Sequence, residues 1–167
     1  MSGDEFRQAL GGVFESSPWV AGRVVDARPF PSIEALHGAM VAAVRRAPRE
    51  EQLALLCAHP DLAARAGAMG EASVAEQSSA GLDRLTDEEY ERFNQLNAAY
   101  RGKFGFPFII AVRHHDKGGI LAAFETRLRN TVEEELEAAL GQVAVITRLR
   151  LDALVAMRRP ASPAAST

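Results

Sequence analysis

Apolar residues recur at helical spacing along most of the chain. Ile33, Leu36, Met40, Val41 and Val44 fall every three or four positions and line one face of a helix over 33–46. Ser32 stands where an N-cap belongs and Ala47-Pro48 stops the pattern, so both ends are marked. A second helix is predicted over about 49–58. Thr86-Asp87-Glu88-Glu89 has the spacing of a capping box and opens a helix with Phe93, Leu96, Asn97 and Tyr100 on one side, weakened at its end by Gly102. Ile120, Leu121, Phe124 and Leu128 predict an amphipathic helix over about 119–130. The last element starts at Thr131, with Glu134 as its capping partner, and runs past Gly141 to about residue 157. Its stripe is Leu136, Leu140, Val143, Ile146, Leu149 and Leu154.

One segment breaks the rhythm. KFGFPFIIAVR, residues 103–113, is aromatic and β-branched enough for a strand, yet Pro107 removes a ladder donor and no partner strand is evident. Pro107 also suits the first turn of a helix, which would leave the amides of Phe108 and Ile109 free. The expected fold is therefore all-α, a single-domain bundle of about seven to nine helices with one irregular apolar segment at about 103–113.

Composition acts mainly by exclusion. A chain of 167 residues can bury its own core. The domain is expected at 1–157, with a proline- and alanine-rich flexible tail at 158–167. Lysine and arginine number 19 against 22 aspartates and glutamates, a net charge of −3 without a dominant block, which argues against nucleic acid or an anionic membrane as partner. No apolar stretch has the length of a membrane span, and MSGDEFRQAL has neither the basic nor the apolar part of a secretory signal. A cytoplasmic location is expected. The single cysteine, Cys57, lies in an apolar run and reads as a small core residue.

Candidate chemistry starts at LLCAHPDLA, residues 55–63, where a histidine ends an apolar run just before a proline. Pro60 disfavours helical conformation at His59 and itself suits the first position of a new helix, with Asp61 in its first turn. That places His59 at an N-cap, with its ring turned toward a cleft. The helix end would disfavour imidazolium and a nearby carboxylate would favour it, a balance suited to proton transfer. A histidine that merely closes a helix junction fits this stretch as well. Ser73 stands three residues before Glu76, again the spacing of a capping box, while Glu76 and Gln77 offer acceptors and amide donors to a polar ring. Arg113 ends an apolar run, either as a bidentate receiver of a carboxylate or as a surface cation. His114-His115-Asp116 has no further histidine or cysteine nearby, so no metal site is expected. His37 reads as structural or surface, and Glu133-Glu134-Glu135 as a solvated helix start.

In combination these segments carry a resemblance. HPDLA at 59–63, SVAEQSSAGLD at 73–83, LNAAYRGKFGFPFIIAVR at 96–113, RLRNTVEEELEAAL at 127–140 and the early ESSPWVAGRVVDARPF at 15–30 resemble the 2-oxo-4-hydroxy-4-carboxy-5-ureidoimidazoline (OHCU) decarboxylases of urate degradation. The likeness spans about residues 6–157 in consistent order. It implies an all-helical, homodimeric enzyme that needs no cofactor and turns a small-molecule substrate into (S)-allantoin and carbon dioxide. Matched motif by motif, the resemblance puts the catalytic histidine at His59, oriented by Glu76. Substrate contacts fall at Pro60, Ser73, Gln77 and Arg113, and on the main chain of Phe108, Ile109, Ile110 and Ala111. His114 follows the arginine where the family commonly has glycine. The alternative from another class is a noncatalytic helical module that binds a purine-like ligand in the same pocket.

Overall fold

The computed structural model describes residues 1–64 and 71–158, and its described residues form eight α-helices and no strand. Local sequence accounts for most helix ends. Ser2 accepts the amide of Glu5 to start α1 (Gly3–Leu10), and Ser32 accepts the amide of Ala35 to start α3 (Ile33–Arg46). Such caps contribute about 1 kcal/mol each. Between them lies α2 (Trp19–Val24), which runs into a 3₁₀ turn at Val25–Ala27. After α3 come α4 (Arg49–Cys57) and α5 (Glu71–Ser79). The predicted Thr86 capping box opens α6 (Asp87–Phe104), Asp116 caps α7 (Lys117–Arg127), and Thr131 exchanges bonds with Glu134 at the start of α8 (Val132–Arg158). Gly105 closes α6 at φ 80°, a left-handed conformation that suits glycine. Gly102 sits inside this helix, which runs two residues beyond it.

α1 packs on α2, α2 on α3, and α3 on α8, while α6 lies against α7 and α8. The aromatic centre of the core is Tyr100 of α6, whose ring meets those of Phe104, Phe106, Phe108 and Phe124. Phe108 stacks on Phe124 at 3.8 Å between centroids. No helix among the described residues is long and apolar enough to cross a membrane.

The segment after Gly105 is irregular, as its sequence suggests, and Pro107 starts neither a strand nor a helix. Phe106, Phe108, Ile109, Ile110 and Ala111 are all buried, ahead of a 3₁₀ turn at Val112–His114. Buried backbone without a ladder needs other partners. Gln142 of α8 accepts the Ala111 amide at 2.9 Å, and Arg127 of α7 donates to the Ile109 carbonyl at 2.6 Å. Side chains thus do for this segment what a neighbouring strand would do in a sheet.

Four sequence expectations are corrected. No helix begins at Pro60, so His59 follows the C-terminal end of α4 instead of capping a new helix. Ser73 lies inside α5, and its hydroxyl serves a charge cluster instead of a cap. Cys57 is exposed, because it occupies the solvent side of α4 between the buried Leu56 and His59. Glu135 is fully buried, since the first turn of α8 faces Tyr100 and Arg127 there. The helices α1, α2 and α5 had no counterpart in the periodicity. Beyond Arg158 the expected tail lies outside the described residues.

Candidate active site

His59 sits where α4 gives way to a tightly held loop. The His59 amide donates to the Leu56 carbonyl, and the ring Nδ1 lies 3.0 Å from the carbonyl oxygen of Leu55. A carbonyl can only accept, so Nδ1 carries the proton and Nε2 is the basic nitrogen. Nε2 is buried and has no hydrogen-bond partner among the described residues. Burial holds the imidazole below the ordinary histidine pKa; the Leu55 bond and the charges of Glu15 and Glu76 pull the other way, and Arg150 adds to the lowering. At neutral pH the ring is an uncharged base.

The loop that follows is pinned from three sides. Gln77 of α5 accepts the Ala63 amide at 2.8 Å and donates to the Asp61 carbonyl at 3.2 Å. Asn97 of α6 donates to the Leu62 carbonyl, and Arg101 pairs with the Asp61 carboxylate at 2.8 Å. These contacts hold Ala63 at φ 58°, a conformation that costs a non-glycine residue about 1–2 kcal/mol. Gln77 therefore acts first as a brace for the histidine loop.

Beside His59 lies a buried charge cluster. Arg150 of α8 forms a side-on fork with Glu76, Nε to Oε1 at 2.8 Å and Nη2 to Oε2 at 3.1 Å. Nη1 donates to Glu15 Oε2 at 2.7 Å and to the Val13 carbonyl at 3.5 Å, and Nη2 also reaches the Ser73 hydroxyl at 3.3 Å. Burial disfavours the charged guanidinium, but Glu76 and then Glu15 outweigh it and raise the Arg150 pKa. Glu76 makes no hydrogen bond to His59. The imidazole is oriented by Leu55, so the expected orienting role of Glu76 is replaced by a through-space influence of its charge.

His59, Pro60, Ser73, Glu76, Gln77 and Arg150 line a cavity of about 30 Å³, whose apolar wall includes Phe108, Ile109 and Ile110. Ala111 is buried behind this wall with its amide engaged by Gln142. Arg113 is exposed and lies on a separate groove of about 490 Å³, which adjoins the cavity through Glu76 and Arg150. It does not enter the cavity with His59, because the 3₁₀ turn at Val112–His114 carries it outward. The arginine inside the cavity is Arg150, which sequence reasoning missed. A signal existed: Arg150 is four residues after Ile146 and four before Leu154, a charge on the apolar stripe of an otherwise amphipathic helix. Glu15 was also missed, and only its place in the early motif marked it.

His114 and His115 are exposed, and Asp116 is occupied as the N-cap of α7. Among the described residues no group of three or more histidine, cysteine, aspartate or glutamate side chains is arranged to hold a metal ion.

A profile of the family described as OHCU decarboxylase matches residues 1–152. A Haloferax volcanii protein named 2-oxo-4-hydroxy-4-carboxy-5-ureidoimidazoline decarboxylase is 48% identical over 148 residues, which cover 89% of this chain and 88% of that protein. The solved structure of an (S)-allantoin synthase superimposes with a TM-score of 0.76 at 39% identity, covering 92% of this chain and 51% of the other. An OHCU decarboxylase solved in the presence of (S)-allantoin gives a TM-score of 0.71 at 26% identity, over 92% and 98% of the two chains.

Proposed function

The chain belongs to the OHCU decarboxylase family, and we propose that it converts 2-oxo-4-hydroxy-4-carboxy-5-ureidoimidazoline to (S)-allantoin and carbon dioxide without a cofactor. The observation that carries this reading is the basic Nε2 of His59, buried without a partner in a cavity lined by Glu76 and Arg150.

The substrate supplies its own electron sink. When the bond to the carboxylate breaks, its electron pair forms a carbon–carbon double bond in the ring, and the electrons of the adjacent carbon–nitrogen double bond move to nitrogen, which takes a proton. The hydroxyl then loses its proton to become the ring carbonyl, and the ureido-bearing carbon gains one. No pyridoxal or thiamine group is required for that step. His59 Nε2 takes the hydroxyl proton, and the resulting imidazolium is a proton source held on one side of the ring. Arg150 and Glu76 set the field around it, Ser73 and Pro60 shape the polar wall, and Phe108, Ile109 and Ile110 exclude water. Arg113 contributes from the adjoining groove, as a cation near the entrance. We assign the chain to the cytoplasm as a homodimer acting on a small molecule, a reading supported by the family resemblance, while a net charge of −3 without a dominant block argues against nucleic acid or an anionic membrane as partner.

The test is a coupled assay in which urate is oxidised and its product hydrolysed in place before the protein is added. Spontaneous decay gives racemic allantoin, so circular dichroism of the product reads enzymatic turnover directly. His59→Asn is the decisive variant, because the asparagine amide can keep the bond to Leu55 while removing the reactive Nε2. Turnover should fall roughly 10²–10⁴-fold, the usual contribution of acid–base catalysis, with unchanged far-ultraviolet helicity and racemic product. A folded variant making (S)-allantoin at the parental rate sinks the assignment, and parental protein yielding only racemate favours the binding-module alternative.

A further inference from the structure

Two carboxylates share one guanidinium in the buried cluster, and only one of them has a role in the proposed reaction so far. Glu15 lies in the loop between α1 and α2, and that loop is built to turn it inward. Val13 and Phe14 are buried anchors; the Val13 amide donates to the Leu10 carbonyl and the Ser17 amide to the Phe14 carbonyl. The Ser17 hydroxyl donates to the carbonyl of Glu15 itself, at 2.8 Å. The Glu15 side chain is 12% exposed, the same as that of Glu76.

The hydrogen-bond count of Arg150 is complete. Its five N–H groups meet two oxygens of Glu76, one of Glu15, the Val13 carbonyl and the Ser73 hydroxyl. The Ser73 hydroxyl in turn donates to Glu15 Oε2 at 3.3 Å. Neither carboxylate pairs with a second cation among the described residues. In formal charge, two carboxylates and one guanidinium sum to −1 in a buried site, an arrangement that structure alone would disfavour. Beside a histidine that must become positive, the same charge has a use.

We propose that Glu15 is a positioning residue of the decarboxylase site: it occupies the Nη1 edge of Arg150, holding its fork toward Glu76, and supplies the second carboxylate that stabilises His59 once Nε2 has taken a proton. The inference rests on the decarboxylase reading above. The charged groups acting on His59 come from three elements: Glu15 from the α1–α2 loop, Arg150 from α8 and Glu76 from α5. Glu15 exerts the largest pull of the three on the imidazole proton, ahead of the opposing Arg150 and of Glu76. Glu76 is neutralised in large part by its bidentate fork, whereas Glu15 touches the guanidinium through one oxygen.

Glu15→Gln tests this in the full-length chain with two readouts. The first is NMR titration of the His59 imidazole, identified by its loss in His59→Asn; the second is the pH profile and handedness of allantoin formation. The expected result is native helicity, a His59 titration moved to lower pH by about one unit, and a roughly tenfold lower plateau of kcat, since one pKa unit corresponds to tenfold. The acidic limb of the profile should move in the same direction. Glu15→Asp and Glu15→Asn, equal in size, separate charge from packing should the glutamine variant unfold. The aspartate should keep the His59 titration near that of the parent and the asparagine should lower it. An unmoved titration in the folded Gln or Asn variant overturns the proposal, as does loss of activity that merely follows loss of helicity. A shifted titration in a protein that never makes (S)-allantoin leaves the charge coupling standing and removes the decarboxylase reading instead.

Discussion

Helix α8 carries two buried ion clusters fifteen residues apart, about 22 Å along its axis, and they are built on opposite plans. At Glu135 the charges balance. Its Oε1 accepts from the Tyr100 hydroxyl at 2.6 Å and from Arg127 Nε at 2.8 Å, and its Oε2 accepts from Asn130 at 2.9 Å. Arg127 lies over the Phe108 ring at 4.4 Å and fixes the Ile109 carbonyl. Burial and then the bond to Glu135 push the Tyr100 phenol well up, so it remains a donor. This cluster clamps the irregular segment behind the cavity. At Arg150 the charges do not balance: two carboxylates meet one cation, next to a partnerless imidazole nitrogen. A matched pair can serve structure alone, whereas an excess charge in a buried place calls for a chemical partner.

The largest effect should come from removing the shared cation. Arg150→Met leaves two buried carboxylates without compensation, and breaking such a pair costs about 3–5 kcal/mol. Urea denaturation should show that loss together with abolished (S)-allantoin formation. Undiminished stability would mean that the carboxylates find water or protons too readily for the cluster to be as closed as its contacts imply.

Glu135→Gln makes the matching cut at the balanced cluster. It should cost about 3 kcal/mol and shift the denaturation midpoint, while the acidic limb of the pH–rate profile stays where it is in the parent. Movement of that limb would show that the two clusters are not separate in function.

A smaller effect follows from His59. Its pKa is depressed in the folded protein, so the unfolded chain takes up a proton first as pH falls below the ordinary histidine value near 6.5. Its contribution to stability is therefore complete above that value and is lost as pH falls through the window down to the folded pKa. Denaturation midpoints of the parent should decline across this window more steeply than those of His59→Asn. Equal slopes would place the pH sensitivity in other groups.

The least change is expected from Arg113→Lys. Arg113 is exposed and makes no ion pair among the described residues, so stability should stay within about 0.5 kcal/mol. Its place on the adjoining groove leads to a modest rise in KM with kcat preserved. A collapse of kcat would bring Arg113 back into the cavity that Arg150 now occupies.

The local grammar of the chain was enough to place five helices and the cap of α3, the capping box of α6 and the Thr131–Glu134 pair of α8, because each depends on neighbours within four residues. It also marked 103–113 as irregular and His59 as the end of a helix. Periodicity missed α1, α2 and α5, which are short. Motif likeness brought His59, Glu76, Ser73 and Gln77 into one candidate site, and these residues do line one cavity. It could not say what each side chain touches. Which carbonyl fixes the His59 tautomer, whether Arg113 or Arg150 enters the cavity, and why Glu135 is buried beside two exposed glutamates all depend on elements far apart in sequence. Glu15 and Arg150 are 135 residues apart and meet at 2.7 Å only because α8 passes the α1–α2 loop. Caps and helical spacing are settled by contacts within a turn, so sequence alone determined the longer, well-marked helices. The sharing of one buried guanidinium by two carboxylates is settled by packing and desolvation across the whole fold, and only the tertiary structure decided it.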